Sequence, residues 1–279
     1  MRWLLATILL AVAAAPRGAV AQQQTMRFEP LGVFELEIEG KTIPKARLFN
    51  SKEAGALLVM APELPFPIAV VPRNKTIQQL DPAELKEEAL GSFAWTPAGK
   101  PTAVATFDLV DGKPVFQLDG KKMRLVDKPA LLGPTTREGI VAYDPSFAYR
   151  TASADPPTLY LDVINDWSQN VLVKIYFSSQ CPECRELLPG IFKTMDRITN
   201  PKVKFEFHGM PLPATKDPLA VELKISGFPT GIVFVDGKEV GRAFGPSWRM
   251  PAMAIHNALR GISINPDALR VPPGAQPGP

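Results

Sequence analysis

The sequence predicts an α/β protein of two parts, a β-rich and mainly antiparallel amino-terminal domain followed by a region in which strands and helices alternate. Three observations carry this. Phe34, Leu36 and Ile38 alternate with Glu35, Glu37 and Glu39, the period-2 pattern of a half-buried strand. Asp-Gly pairs at 111–112 and 119–120 separate short apolar runs, and Asp-Gly readily takes the two positive-φ positions of a type I′ hairpin turn. After residue 157 the apolar spacing switches repeatedly between strand and helix patterns. The 30 prolines in 279 residues, twice the usual share of about 5%, exclude a bundle of long helices.

Met1-Arg2-Trp3, the 12-residue apolar run Leu4 to Ala15 and the small-x-small triplet Ala19-Val20-Ala21 have the layout of a cleaved secretory signal over residues 1–21. The run is shorter than the ~20 residues of a membrane-spanning helix. The expectation is an exported protein, periplasmic or extracellular, with no transmembrane segment in the mature chain. Without Arg2 and Arg17 the balance is 29 basic to 28 acidic residues. No clustered Lys and Arg track a phosphate backbone, so no nucleic acid partner is expected.

The β-rich domain is expected over residues 26–150. Gly40 turns the first strand into a return from Thr42 to Phe49, and Phe107 to Leu125 reads as a three-stranded meander. A short helix is expected from Pro82 to Leu90, with Asp81 as its cap, Pro82 at its first position and Gly91 ending it. The proline-rich stretch Leu64 to Pro72 reads as edge or loop. This domain has no Cys and no His, and its alternating carboxylates read as a solvated face. Residues 151–157 read as a linker, 158–264 as the second domain and 265–279 as a disordered, proline-rich tail.

The chemistry is carried by the two cysteines, Cys181 and Cys184, which stand in one C-x-x-C and so exclude a structural disulfide framework. Val171 to Phe177, an apolar run broken by Lys174, suits a buried strand, and Ser178-Ser179-Gln180 form a short loop. Cys181-Pro182-Glu183-Cys184 then opens a helix reaching Ile198, with Leu187, Leu188, Ile191, Phe192 and Met195 on its apolar face. A thiol in the first turn of a helix meets unpaired backbone N–H groups and the positive end of the macrodipole, and both stabilise a thiolate. Cys181 is therefore the expected nucleophile. Cys184, almost one turn further along the same face, is the expected resolving thiol. A strand Val203 to His208, a helix Pro218 to Ile225, a hairpin Ile232 to Phe244 about Asp236-Gly237 and a helix Met250 to Leu259 complete the domain.

Over roughly residues 157–261 the chain resembles the thioredoxin superfamily. Pro189, five residues after Cys184, stands where thioredoxins carry the proline that kinks the active-site helix. Phe228-Pro229-Thr230 resembles the family's cis-proline segment, and Gly237 and Gly245 match the glycines of its terminal hairpin. The resemblance implies a thioredoxin fold for this domain, with Pro229, Phe228 and Thr230 receiving the substrate chain and Pro182, Glu183 and Pro189 tuning the thiols. The chain departs from the family at three places. Gln180 replaces a Trp, Pro182-Glu183 replaces Gly-Pro, and Ile175 replaces the buried Asp that moves the proton of the second thiol. Lys174 and Glu206 could stand in for that Asp, although a surface ion pair is the plainer reading.

The favoured function is thiol–disulfide exchange on protein thiols and disulfides, with no cofactor and with an upstream electron donor. Glu183 beside the nucleophile should raise its pKa, which favours a reductase or isomerase over a strong oxidant. Two alternatives use the same residues. The dithiol could bind Cu(I), or zinc with nitrogen from His208 or His256, though no metal site is assigned. The second domain could instead be a scaffold for partners chosen by the first.

Overall fold

The computed structural model describes residues 24–262, so the expected signal segment and carboxy-terminal tail lie outside it. The first domain is one continuous antiparallel sheet. Its strands are β1 Met26–Pro30, β2 Phe34–Ile38, β3 Lys41–Thr42, β4 Arg47–Ser51, β5 Ala56–Met60 and β6 Ile68–Val71. They continue with β7 Thr76–Gln79, β8 Leu85–Glu87, β9 Phe93–Trp95, β10 Thr102–Val110, β11 Lys113–Leu118 and β12 Lys121–Asp127. The order across the sheet is β3-β2-β12-β11-β10-β7-β6-β5-β4-β1-β9-β8. The expected meander is β10-β11-β12, and both of its turns have Asp and Gly at positive φ.

The middle strands are buried on both faces. Ile68 and Val70 of β6 enter a core with Leu36, Phe107, Phe116 and Met123, while Ala69 between them enters a second core with Phe28, Phe49, Phe93 and Trp95. Side chains alternate across a strand, so one apolar run feeds both cores. This corrects the edge-or-loop reading of Leu64 to Pro72: β6 pairs with β5 and β7, and its prolines flank the ladder at 65, 67 and 72 instead of interrupting it.

The helix expected from Pro82 to Leu90 is also corrected. Asp81 does cap, its side chain accepting from the Ala83 N–H, but only one 3-10 turn follows. Leu85–Glu87 then pairs with Phe93–Trp95. Glu84 fixes this path by accepting from the Trp95 indole at 3.0 Å and from the Ala98 N–H at 2.7 Å.

The second sheet has the order β13-β15-β14-β16-β17, from β13 Gly133–Thr135, β14 Val171–Phe177, β15 Val203–Gly209, β16 Thr230–Val235 and β17 Lys238–Phe244. β14 and β15 are parallel and every other pair is antiparallel. The helices are α1 Arg137–Tyr143, α2 Ser146–Ser153, α3 Leu161–Asn165, α4 Pro182–Arg197, α5 Pro218–Glu222 and α6 Pro251–Leu259. Sequence and structure agree closely from Val171 onward.

The expected boundary at residue 150 does not hold. β13 pairs with β15, Ile140 and Phe147 are buried in the core around α4, and Phe147 packs edge-on against Phe192 at 6.1 Å between centroids. Thr151, expected in a linker, lies in α2 and is buried. The second domain therefore begins near residue 133, and only residues 128–132 connect it to β12. Phe147→Ala tests this boundary. Removing a buried phenyl ring costs about 3–5 kcal/mol, which should appear in urea unfolding followed by the fluorescence of Trp248, a residue of the same core, in a protein whose other tryptophans are replaced by Phe. A linker residue would leave that transition unchanged.

Candidate active site

Cys181 is the N-cap of α4, with extended backbone (φ −83°, ψ 120°) and Pro182 behind it at the first helical position, where a missing N–H costs nothing. Its sulfur accepts from the Cys184 N–H at 3.4 Å and lies 3.9 Å from the Phe228 carbonyl oxygen. Both cysteines are free. Cys181 retains 9% exposure and Cys184 none, so an incoming disulfide meets Cys181 first.

Their environments push the two thiols apart. Cys181 falls from 9.0 to about 6, chiefly through hydrogen bonding from Cys184, with the backbone N–H groups of Cys184 and Glu183 adding to the effect and burial opposing it. Cys184 is pushed well up by burial and by its neighbour sulfur. The Glu183 carboxylate does raise the Cys181 pKa, as expected, but it is the weakest of these influences. The expected net rise is thus corrected to a fall. The hydrogen bond from the Cys184 thiol, joined by the helix-end N–H groups, outweighs a carboxylate on a half-exposed side chain.

Of the three residues of the Phe228-Pro229-Thr230 segment, Phe228 comes to the thiol pair, its carbonyl oxygen lying 3.9 Å from the Cys181 sulfur. The Phe228–Pro229 bond is cis, Pro229 is buried, and its carbonyl accepts from the Gly245 N–H at 2.9 Å. Thr230 is buried and its hydroxyl donates to the Gly227 carbonyl at 2.7 Å. Pro189 is a buried residue inside α4. Ile175, in the place of the family's Asp, is fully buried near Gly231 and Trp248. Lys174 and Glu206 form an exposed ion pair at 3.2 Å and do not replace it. The two histidines engage aromatic rings, His208 with Tyr176 and His256 stacked on Tyr160. Among the described residues no group of three or more His, Cys, Asp or Glu side chains is gathered for a metal.

Sequence reasoning passed over Ser179 and Arg185. The Ser179 hydroxyl accepts from the Leu131 N–H at 2.9 Å, which fixes the active-site loop to the connection between the domains. Arg185 follows Cys184 directly and borders a cavity shared by both domains. The signal for it was there: four residues separate Arg185 from Cys181, which puts both on one side of the helix start.

Alkylation checks the assignment of the two thiols. With limiting iodoacetamide the reduced protein should be labelled at Cys181. The rate should rise with pH through a midpoint near 6, because the thiolate is the reactive form. Cys184 should label only after unfolding.

Residues 155–255 match the Thioredoxin family model. Among solved structures, Fasciola hepatica thioredoxin is similar at 23% identity over 35% of this chain and 88% of that one, with a TM-score of 0.27. Chlamydomonas reinhardtii thioredoxin f2 is similar at 17% identity over 37% and 91%, TM-score 0.27. Mitochondrial thioredoxin 3 of Saccharomyces cerevisiae is similar at 18% over 40% and 97%, TM-score 0.25. No curated protein matches the chain. The sheet order, the dithiol at the start of α4 and the family match together make the carboxy-terminal part of this chain a thioredoxin-superfamily domain, joined to an amino-terminal domain that is one large antiparallel sheet.

Proposed function

We propose that the protein is an exported thiol–disulfide oxidoreductase that acts on protein disulfides as a reductase or isomerase. The observation that carries this is the pairing of a helix-capping thiol of pKa about 6 with a fully buried second thiol directly behind it. Environments that separate two titratable groups in this way divide their roles. The Cys181 thiolate attacks one sulfur of a substrate disulfide, forms a mixed disulfide and expels the other sulfur as a thiolate that takes up a proton. Cys184 then loses its proton, attacks the Cys181 sulfur and expels the second substrate thiolate. The substrate gains two electrons and two protons, and the protein's dithiol becomes a disulfide. Escape of the substrate before Cys184 closes the ring gives isomerisation instead.

A nucleophile near 6 lies closer to thioredoxin, about 7, than to the strongest oxidants of the superfamily, about 3.5. This supports the reductase-or-isomerase reading, which requires a dithiol donor to restore the pair. Export is supported by the layout of residues 1–21, and no helix of the described residues is long and apolar enough to cross a membrane.

Two experiments test the proposal. Cys184→Ser should accumulate mixed disulfides through Cys181 when expressed in its native compartment, and Cys181→Ser should hold none. Equal trapping by both variants would remove the exchange mechanism. Glu183→His should raise the reduction potential. Removing the carboxylate stabilises the thiolate, the reduced form gains, and each tenfold change in equilibrium constant is about 30 mV for two electrons. A potential that falls on this substitution, or a wild-type potential already that of a strong oxidant, would make the protein a disulfide donor.

A further inference from the structure

A groove runs along the seam between the two domains and ends at Ser179 and Gln180, in the loop that leads into Cys181. Its near part, about 480 Å³, is walled by Leu31, Phe34 and Lys128 from the first domain and its connection, and by Tyr143, Gln180 and Arg185 from the second. A further cavity of about 280 Å³ shares Leu31, Phe34, Lys128 and Tyr143 with it and continues the groove towards Leu90 and Gly91. Gln180 and Arg185 stand on either side of the Cys181–Cys184 motif, and neither cysteine lines the groove, so a chain lying in it comes as far as the residue bonded to the nucleophile.

The charges on the near part are unbalanced. Its one acid, Asp127, is neutralised by Lys113 at 2.8 Å. Lys128 donates to the Tyr143 carbonyl at 2.7 Å and stands 4.4 Å over the Tyr143 ring, neither of which cancels its charge. Arg185 is half-buried with its Nε unsatisfied. Among the described residues neither cation has a carboxylate within salt-bridge distance. In the far part Arg47 is paired with Glu87, and Glu35 is the one acid. Two cations without a carboxylate in salt-bridge distance thus face the half of the groove that holds Ser179 and Gln180, with the charges of Glu35 and Asp144 also acting on Tyr143 there. Apolar contact from Leu31 and Phe34 suits a polypeptide, and the cations suit acidic side chains on it.

We infer that this groove is a substrate site that selects disulfide-bearing polypeptides with acidic residues next to the cysteine, read by Arg185 and Lys128. The inference deepens the exchange reading above and rests on it. Bound there, the substrate's sulfur is presented to Cys181, which forms the mixed disulfide as its partner sulfur leaves.

The test compares two short peptides, each closed by one disulfide and identical except that Glu or Gln flanks the cysteines. The measured quantity is the ratio of their exchange rates, Glu over Gln, within each protein, so changes in folding or potential cancel. For the reduced full chain at low salt the ratio should be about five, and it should approach one in about 1 M salt. Arg185→Gln and Lys128→Gln should each bring it towards one at low salt, and a fall in a single variant assigns the contact to that residue. A wild-type ratio of one, or a ratio that survives both substitutions, overturns the groove assignment while exchange itself stands. Exchange with neither peptide overturns the functional reading, and this inference with it.

Discussion

A sulfur atom caps α4 where most helices use an oxygen, and the rest of the active site follows from that substitution. Ser, Thr, Asp or Asn usually satisfies the first N–H groups of a helix. Here the Cys181 sulfur accepts from the Cys184 N–H, and the helix-end donors add to the hydrogen bond from the Cys184 thiol, which is the largest force holding the thiolate. The cap is strongest when the sulfur is ionised, so helix start and nucleophile stabilise each other. Glu183 acts on this arrangement in both directions. A carboxylate in the first turn complements the helix dipole but opposes a second negative charge on the sulfur. On the sulfur itself the carboxylate is the weakest influence, and the hydrogen bonds to the thiolate outweigh it.

The second thiol depends on what packs behind it. Cys184 points into the core that holds Leu187, Leu188 and Phe192, where burial keeps it protonated until the mixed disulfide forms. The neighbouring packing leaves little slack. A Cβ at Gly231 would lie 2.1 Å from the Trp248 ring and 3.1 Å from Ile175 Cδ1, so the strand that follows Pro229 lies tight against its neighbours. Ile175 belongs to this packing, which is why a chain with an apolar residue there still builds the site.

The thiol site was legible in the sequence because its signals are local. A helix N-terminus, two cysteines three apart and a hairpin at Asp236-Gly237 are each read from a few consecutive residues, and the strands and helices after Val171 fall where their periodicity puts them. The misreadings of the fold come from strand pairing outside the segment read, whereas the Cys181 pKa was misjudged on hydrogen bonds from residues within three of it. The prolines around β6 look like strand breakers until the pairing with β5 and β7 shows that they lie outside the ladder. Asp81-Pro82 is a sound helix start, but pairing of Leu85–Glu87 with Phe93–Trp95 overrides it. Residues 133–150 read as the end of the first domain because nothing local says that Gly133–Thr135 pairs with a strand more than 70 residues later. Arg185 went unread because part of the cavity that it borders comes from the other domain.

That last point bears on what the first domain does. It has no group of its own that performs chemistry on a thiol, yet it is held closely against the one that does. A Cβ at Gly32 would lie 2.7 Å from the Asp144 Cα, so its loop sits tight against the turn between α1 and α2. The Lys128 ammonium and the Pro129 carbonyl both bond to Tyr143, and Leu131 bonds to Ser179 in the active-site loop. A connection of five residues fastened at three of them leaves little freedom for the two walls of the groove to part. A cap thiol that keeps a small accessible edge reacts on its own with any disulfide that can reach it. A fixed wall beside it adds shape and charge to that encounter, and selectivity then comes from contacts that the thiols do not make.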